Sequence, residues 1–353
     1  MSGLDVTAPE QKFAEIIAQD FNDMLAEFHR HPQPYDDEMD AELHEQYAAV
    51  LREQLAEVNG WRKYLYAPDG TRRPAFSPSS SGNSDRELYE KAVGGRKAAD
   101  PQVPTPNQRD WTGLGSVVGE YIQREMLLIE RHFEKLTGKK PKFRFERTAR
   151  NEPAFEHFVK VVKECEYEGE RFALNGLPDG IMIYTADDGT ECRVGLEVKS
   201  FQKSYAEFKR LNAPKEGHVL QTYCYSEMYG LDYYIVLNHL TYGAKWADDI
   251  NRNKTFGLYV TQDNRDQVLT KFARVTKAWR TKEPPEIDLI SEWRFNKYKT
   301  AIAKSTTDEE FARHKRQLER VLASRMPDWK KLQLQEAVQF IEKVREGTAA
   351  NGD

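Results

Sequence analysis

Apolar residues in 9–31 fall at Phe13, Ile16, Ile17, Phe21, Met24, Leu25 and Phe28, the three-and-four spacing that lays one stripe along an amphipathic helix. A second helix is predicted over about 38–58, with Leu43, Tyr47, Val50, Leu51 and Leu55 turned inward, and the two read as a helical hairpin with an acidic exterior. The pattern breaks over 67–113, which is rich in Pro, Gly and Ser apart from a short helical patch near 88–93. Helical spacing returns over 115–136 and stops at Thr137-Gly138, glycine being the usual residue just past a helix C-terminus.

The period then changes from helical to strand-like. Segments 181–184, 192–200, 233–240 and 256–261 are short, β-branched or aromatic and bounded by turn residues, so they read as strands, with a helix over about 216–229 between the second and third. Beyond Gln262 the chain reads as helical, with final helices near 307–324 and 329–346. The order is helices, a small mixed sheet with crossing helices, then more helices, which makes this an α/β chain. The expected organisation is an acidic hairpin over 1–66, a connecting region over 67–114, the α/β core over 115–285 and C-terminal helices over 286–353.

Composition narrows the classes. With 39% hydrophobic and 31% charged residues, the chain belongs with soluble globular proteins, and its longest uncharged stretch near the sheet, 233–244, falls short of the ~20 residues that span a bilayer. The N-terminus has neither a basic nor an apolar region of a secretory signal, so the expected location is the cytoplasm. Cys165, Cys192 and Cys224 are far apart in sequence, so a zinc or iron–sulfur site would lack ligands and any metal is expected on oxygen. The net charge of -5 hides an asymmetry: residues 1–60 hold 14 acids and 3 bases, whereas 131–150 hold 8 bases and 2 acids. The histidines form no HExxH or HxH pair, and there is neither a nucleophile elbow nor a phosphate-binding GxxxxGK[ST] loop, so acyl transfer and a built-in ATP motor have no support.

One constellation carries chemistry. Pro178-Asp179-Gly180 is followed by Glu197-Val198-Lys199 at the end of an apolar strand. Alternation puts Glu197 and Lys199 on one face and Val198 on the other. If Asp179 ends the neighbouring strand, the two carboxylates and the Val198 carbonyl form an oxygen set suited to Mg²⁺ or Mn²⁺, beside a lysine placed to orient or deprotonate water. Pro68-Asp69 and Pro327-Asp328 have no such triplet downstream, and Glu207-Phe208-Lys209 lies in a polar segment that looks helical.

The strings LNGLPDGIMIY, VGLEVKSFQKSYAEFKRL and HVLQTYCYSEMYG, in that order, resemble the PD-(D/E)XK nuclease superfamily, in its RecB-like and phage lambda exonuclease (YqaJ-type) branches. The resemblance covers about residues 76–262 and implies a restriction-endonuclease-like core, a small mixed sheet flanked by helices, with helical additions at both ends. It assigns Asp179 and Glu197 to the metal, Lys199 to water activation, and Gln221 and Tyr225 to the glutamine–tyrosine block on the following helix. The family also places a metal-ligating residue on the preceding helix, where this chain has Gly119. Two replacements are open. Glu120 fits a family variant matched by Gly119-Glu120-Tyr121-Ile122-Gln123, and Glu125, slightly favoured, lies on the apolar stripe among Val118, Ile122 and Phe133, where a carboxylate is costly unless paired or metal-bound. Iron–sulfur relatives carry a cysteine where this chain has Ser84, ahead of Arg86 and Tyr89, so no cluster is expected.

The resulting expectation is a Mg²⁺- or Mn²⁺-dependent exonuclease acting on linear DNA in phage-type recombination or processing. The alternatives are a structure-specific or restriction-like endonuclease and a non-catalytic DNA- or partner-binding protein on the same fold. The expected metal ligands are Asp179, Glu197, the Val198 carbonyl and Glu125 or Glu120. Lys139, Lys140, Lys142, Arg144, Lys203 and Tyr225 are the expected DNA contacts, and His218, one turn before Gln221, reads as structural or DNA-facing. By resemblance, a single-strand annealing protein and further copies of the chain are possible partners, and the setting is a bacterial host cell if the chain is viral.

Overall fold

The computed structural model describes residues 8–101, 103–243, 245 and 248–349. In chain order its elements are α1 (Pro9–Phe28), α2 (Asp37–Ala56), the single turn α3 (Arg62–Leu65), β1 (Ala75–Phe76), α4 (Asp85–Gly94), α5 (Pro106–Thr137) and β2 (Phe143–Phe145). There follow β3 (Val161–Tyr167), β4 (Glu170–Gly176), β5 (Gly180–Thr185), β6 (Glu191–Phe201), α6 (Tyr205–Arg210), α7 (Glu216–Tyr229), β7 (Tyr233–Leu240) and β8 (Asn253–Tyr259). The chain continues with α8 (Gln262–Thr281), α9 (Lys299–Ser305), α10 (Asp308–Leu322) and α11 (Asp328–Ala349). Among the described residues, no helix is long and apolar enough to cross a membrane.

The strand-like segments assemble a five-stranded sheet in the order β2-β5-β6-β7-β8. β5 and β6 are antiparallel, with Gly180 opposite Leu196, whereas β6 and β7 are parallel, with Glu197 opposite Val236, and α6 and α7 make the crossover that a parallel pair requires. This mixed sheet, covered by helices on both faces, is the α/β class expected from the sequence. One face is buried with α1 and α5 through Phe21, Leu25, Ile122, Leu128, Leu196 and Val198; the other packs Tyr225, Tyr234, Val236 and Phe272 beneath α4, α7 and α8.

Several elements differ from the sequence expectation. Helix α5 begins at Pro106, not near Gly115, because Thr105 and Gln108 form a reciprocal cap around a proline at the first helical turn; it ends at Gly138 in the left-handed conformation, as expected. The region expected to connect contains β1 and α4, and β1 joins a separate sheet of order β1-β4-β3. β8 runs over Asn253–Tyr259, since Thr261 already caps α8. The segment between α8 and α9 is irregular rather than helical.

The N-terminal helices do not form a hairpin of their own. α1 lies on β7 and β8, and α2 packs against the turn at Glu156–Val159. α1 approaches β8 so closely that a Cβ on Gly257 would lie 1.9 Å from the Ala14 carbonyl oxygen. The Gln11 side chain donates to the Gly257 carbonyl and accepts from the Tyr259 N–H, both at 2.9 Å, satisfying the edge of the sheet as a further strand would. Ser84 caps α4, and Arg86, fully buried, ties that helix to α9 and α10.

Candidate active site

The register of β5 and β6 places Asp179, the residue before β5, beside Glu197 on β6. Asp179 Oδ2 accepts a 2.6 Å hydrogen bond from the Val198 N–H. Since the N–H and C=O of one strand residue point to the same edge, the Val198 carbonyl faces the same gap, where β5 has ended. Side-chain alternation sends Leu196 and Val198 into the core shared with α5 and turns Glu197 and Lys199 to the opposite face. There Lys199 Nζ forms an ion pair with Glu197 Oε1 and donates to Gln221 Oε1 at 3.2 Å from α7. Asp179, Glu197, Lys199 and Gln221 are thus brought together.

The loop carrying Asp179 is buttressed. Tyr225 is buried and donates to the Leu177 carbonyl at 2.6 Å, and its ring packs so tightly that a Cβ on Gly176 would meet it at 2.8 Å. Tyr225 therefore holds the loop, with its hydroxyl turned to the Leu177 backbone. Gln123, buried on α5, donates to the Asp179 carbonyl at 2.9 Å. In the sequence it is marked only as the last residue of the Gly119-Glu120-Tyr121-Ile122-Gln123 match.

Glu197 is 1% exposed, and its Oε2 has no hydrogen-bond partner. A buried carboxylate oxygen left alone is costly. With the Asp179 carboxylate and the Val198 carbonyl beside it, it makes an all-oxygen donor set that fits a hard divalent cation. Burial and then the adjacent Glu197 push the Asp179 carboxyl well above the usual carboxylate range, against the opposing pull of the Val198 N–H and Lys199. Burial likewise raises Glu197, with Lys199 opposing. On α7, burial and then Lys199 and Lys215 lower His218 to about 4, so its imidazole is neutral near neutrality, and its Nδ1 has no partner.

These shifts give a stability prediction. Carboxyls raised in the folded state stabilise it fully below their ordinary range, near pH 4, and that contribution is lost as pH rises through the folded values. In chelator, the thermal midpoint of the wild type should fall relative to Asp179→Asn as pH is raised from about 4 to about 8. Parallel profiles would show that Asp179 is not strained.

The third carboxylate expected on α5 is not in place. Glu125 is buried, but its Oε2 lies 3.0 Å from His29 Nε2 at the end of α1, and Tyr121 stands 3.4 Å from the same nitrogen. That histidine partners its buried carboxylate. Glu120 is exposed on the rim of a cleft shared with Gln123, Tyr47 and Glu156. Among the described residues, no three His, Cys, Asp or Glu side chains converge tightly enough to share one ion.

Most of the basic residues expected to contact DNA lie away from Asp179. Arg144 pairs with Ile183 in the β2–β5 register, and the Lys142 carbonyl receives the Thr185 N–H, which puts both at the far end of β5 from Asp179, about 13–20 Å away at roughly 3.3 Å per residue. Acids answer most of these cations: Glu27 at 2.8 Å from Lys139, Asp20 at 2.9 Å from Lys142, Glu191 at 3.3 Å from Arg144 and Glu53 at 2.9 Å from Arg150. Asp36 and Glu42 of the N-terminal region do the same for His132 and Arg131. Lys140 is exposed beside this paired group, whereas Lys203, exposed just after β6 with Glu207 at 3.5 Å, is the expected contact nearest Lys199 in sequence.

No protein-family model matches the chain, and neither does any curated protein. Solved structures do resemble it. A protein named SSO0001 aligns at 12% identity and TM-score 0.39 over 71% of this chain and 91% of its own. The alkaline exonuclease LHK-Exo from Laribacter hongkongensis aligns at 11% and 0.34 over 59% and 89%. A phage-related exonuclease from Haemophilus somnus 129PT aligns at 12% and 0.34 over 60% and 95%.

Proposed function

We propose that this chain is a divalent-metal-dependent DNA exonuclease that hydrolyses phosphodiester bonds at the ends of linear DNA, in phage-type recombination or DNA processing. The observation that carries the reading is the meeting of Asp179 and Glu197 across β5 and β6, with Glu197 Oε2 buried and unpartnered and Lys199 on the same face. The Asp179 and Glu197 carboxylates and the Val198 carbonyl would hold the cation. When bound, Mg²⁺ or Mn²⁺ supplies Lewis-acid stabilisation of a phosphoryl oxygen and lowers the pKa of water.

The remaining work falls to the chain itself. Lys199 Nζ, steadied by Gln221, faces the gap beside the carboxylates, where the ammonium orients the attacking water and only the neutral amine would receive its proton. The Val198 N–H fixes one oxygen of Asp179, and Tyr225 and Gln123 hold the backbone on which that residue rides. Each group is thereby set before substrate arrives.

Incubation with Mg²⁺ or Mn²⁺ and matched linear and closed-circular DNA tests the reading. Loss of the linear form with circles intact is the expected result. Cut circles would make the protein an endonuclease, and no cleavage with either metal would leave a binding protein.

A further inference from the structure

Glu156 follows Phe155 at the start of a short turn and has φ +42, a left-handed conformation that side chains other than glycine rarely adopt. Such backbone persists only where its surroundings enforce it. Here the Glu156 N–H donates to the Pro178 carbonyl at 2.8 Å, directly ahead of Asp179. Its side chain is held from two further elements. Tyr47 on α2 donates to Oε2 at 2.9 Å, and Gln123 on α5 reaches Oε1 at 3.4 Å with the same nitrogen that donates to the Asp179 carbonyl. Glu156 lines a cleft of about 380 Å³ between α2 and α5. A second carboxylate is therefore fastened to the backbone on either side of Asp179.

We propose that Glu156 is a third carboxylate of the cation site, acting across an intervening water shell, and that Tyr47 is the positioning residue that keeps it there. The inference rests on the nuclease reading above. Direct ligation is not available, since no three carboxylates converge on one point among the described residues. Mg²⁺ retains several waters, however, and a carboxylate that accepts hydrogen bonds from them adds both attraction and orientation. Glu197 Oε2 is buried without a hydrogen-bond partner, and Glu156 lies close enough for its charge to act on Asp179. The acidic N-terminal region thereby acquires a role in the site through Tyr47.

Mn²⁺ binding to the full chain, followed by calorimetry or electron paramagnetic resonance, separates this role from a structural one. Glu156→Gln keeps the shape and an acceptor for Tyr47 but removes the charge, and should weaken Mn²⁺ about tenfold, the lower end of the 10–100-fold range for outer-shell groups. Tyr47→Phe should weaken it by a smaller factor, with metal-free unfolding still cooperative in both variants. If Glu156→Gln binds as the wild type does while Asp179→Asn loses the ion, the inference falls and the nuclease reading stands. If the wild type binds no Mn²⁺, the nuclease reading falls and takes the inference with it. Should Glu156→Gln fail to fold, Tyr47→Phe decides, and unchanged affinity there overturns the proposal.

Discussion

Lys199→Ala should lower metal-dependent DNA cleavage by about 10³-fold, within the 10²–10⁴-fold range of positioned acid–base groups, while the protein stays folded and still binds Mn²⁺. Removing the lysine leaves both carboxylates and the Val198 carbonyl in place, so the proposed ion would keep its ligands. Glu197 loses its cation, but burial already favours its protonated form, and proton uptake limits the loss of stability in the metal-free state. The variant thus separates holding the ion from acting on water. Single-turnover cleavage and Mn²⁺ titration on the same preparation measure the two. Cleavage at the wild-type rate would remove Lys199 from the mechanism, and loss of Mn²⁺ binding would make it part of the ion's support instead.

Arg86→Ala should destabilise the protein by about 3–5 kcal/mol, the usual cost of removing one partner from a buried charge network. Arg86 has no exposed surface, and its guanidinium donates to Glu90 at 3.0 Å, Glu310 at 3.0 Å, the Pro285 carbonyl at 2.7 Å and Ser305 Oγ at 2.8 Å. Deletion leaves buried Glu90 and Glu310 without the guanidinium they share. The network lies where α4 meets α9 and α10, so the C-terminal helices should loosen first. Urea unfolding, with protease sensitivity of the segment after α8 as a second readout, tests this. A variant combining Arg86→Met, Glu90→Gln and Glu310→Gln should recover much of the loss, because no unpaired charge then remains.

The site was legible to different depths. Asp179, Glu197 and Lys199 could be placed from sequence because a period-two strand fixes which side chains share a face and a Pro-Asp-Gly turn fixes where its neighbour begins. α7 and β7 matched the expected limits because a glycine at 230 and an abrupt change of period bracket them. β3 and β4 escaped notice. Their alternation is half charged, and the turn between them is Glu168-Gly169, both with positive φ, where an asparagine or aspartate before the glycine would have signalled a hairpin.

Glu125 shows how a correct local inference can leave the partner open. The helical wheel places it on a buried face, where it needs a partner, but spacing says nothing of which element arrives there, and α1 brings His29. The basic run over 131–150 is a related case. Its charge is visible in sequence, whereas several of the acids that answer it lie about 100 residues earlier and meet it only after α1 and α2 have packed.

The sequence by itself determined which segments are strands around Asp179 and Glu197 and which side chains share a face on β6, since each depends on backbone period alone. Only the tertiary structure decided that α2 and α5 reach the Asp179 loop through Tyr47, Gln123 and Glu156, and that the basic strip is occupied by acids. Contacts between distant segments depend on where whole elements come to rest, and the local period that identifies each element carries no record of its neighbour.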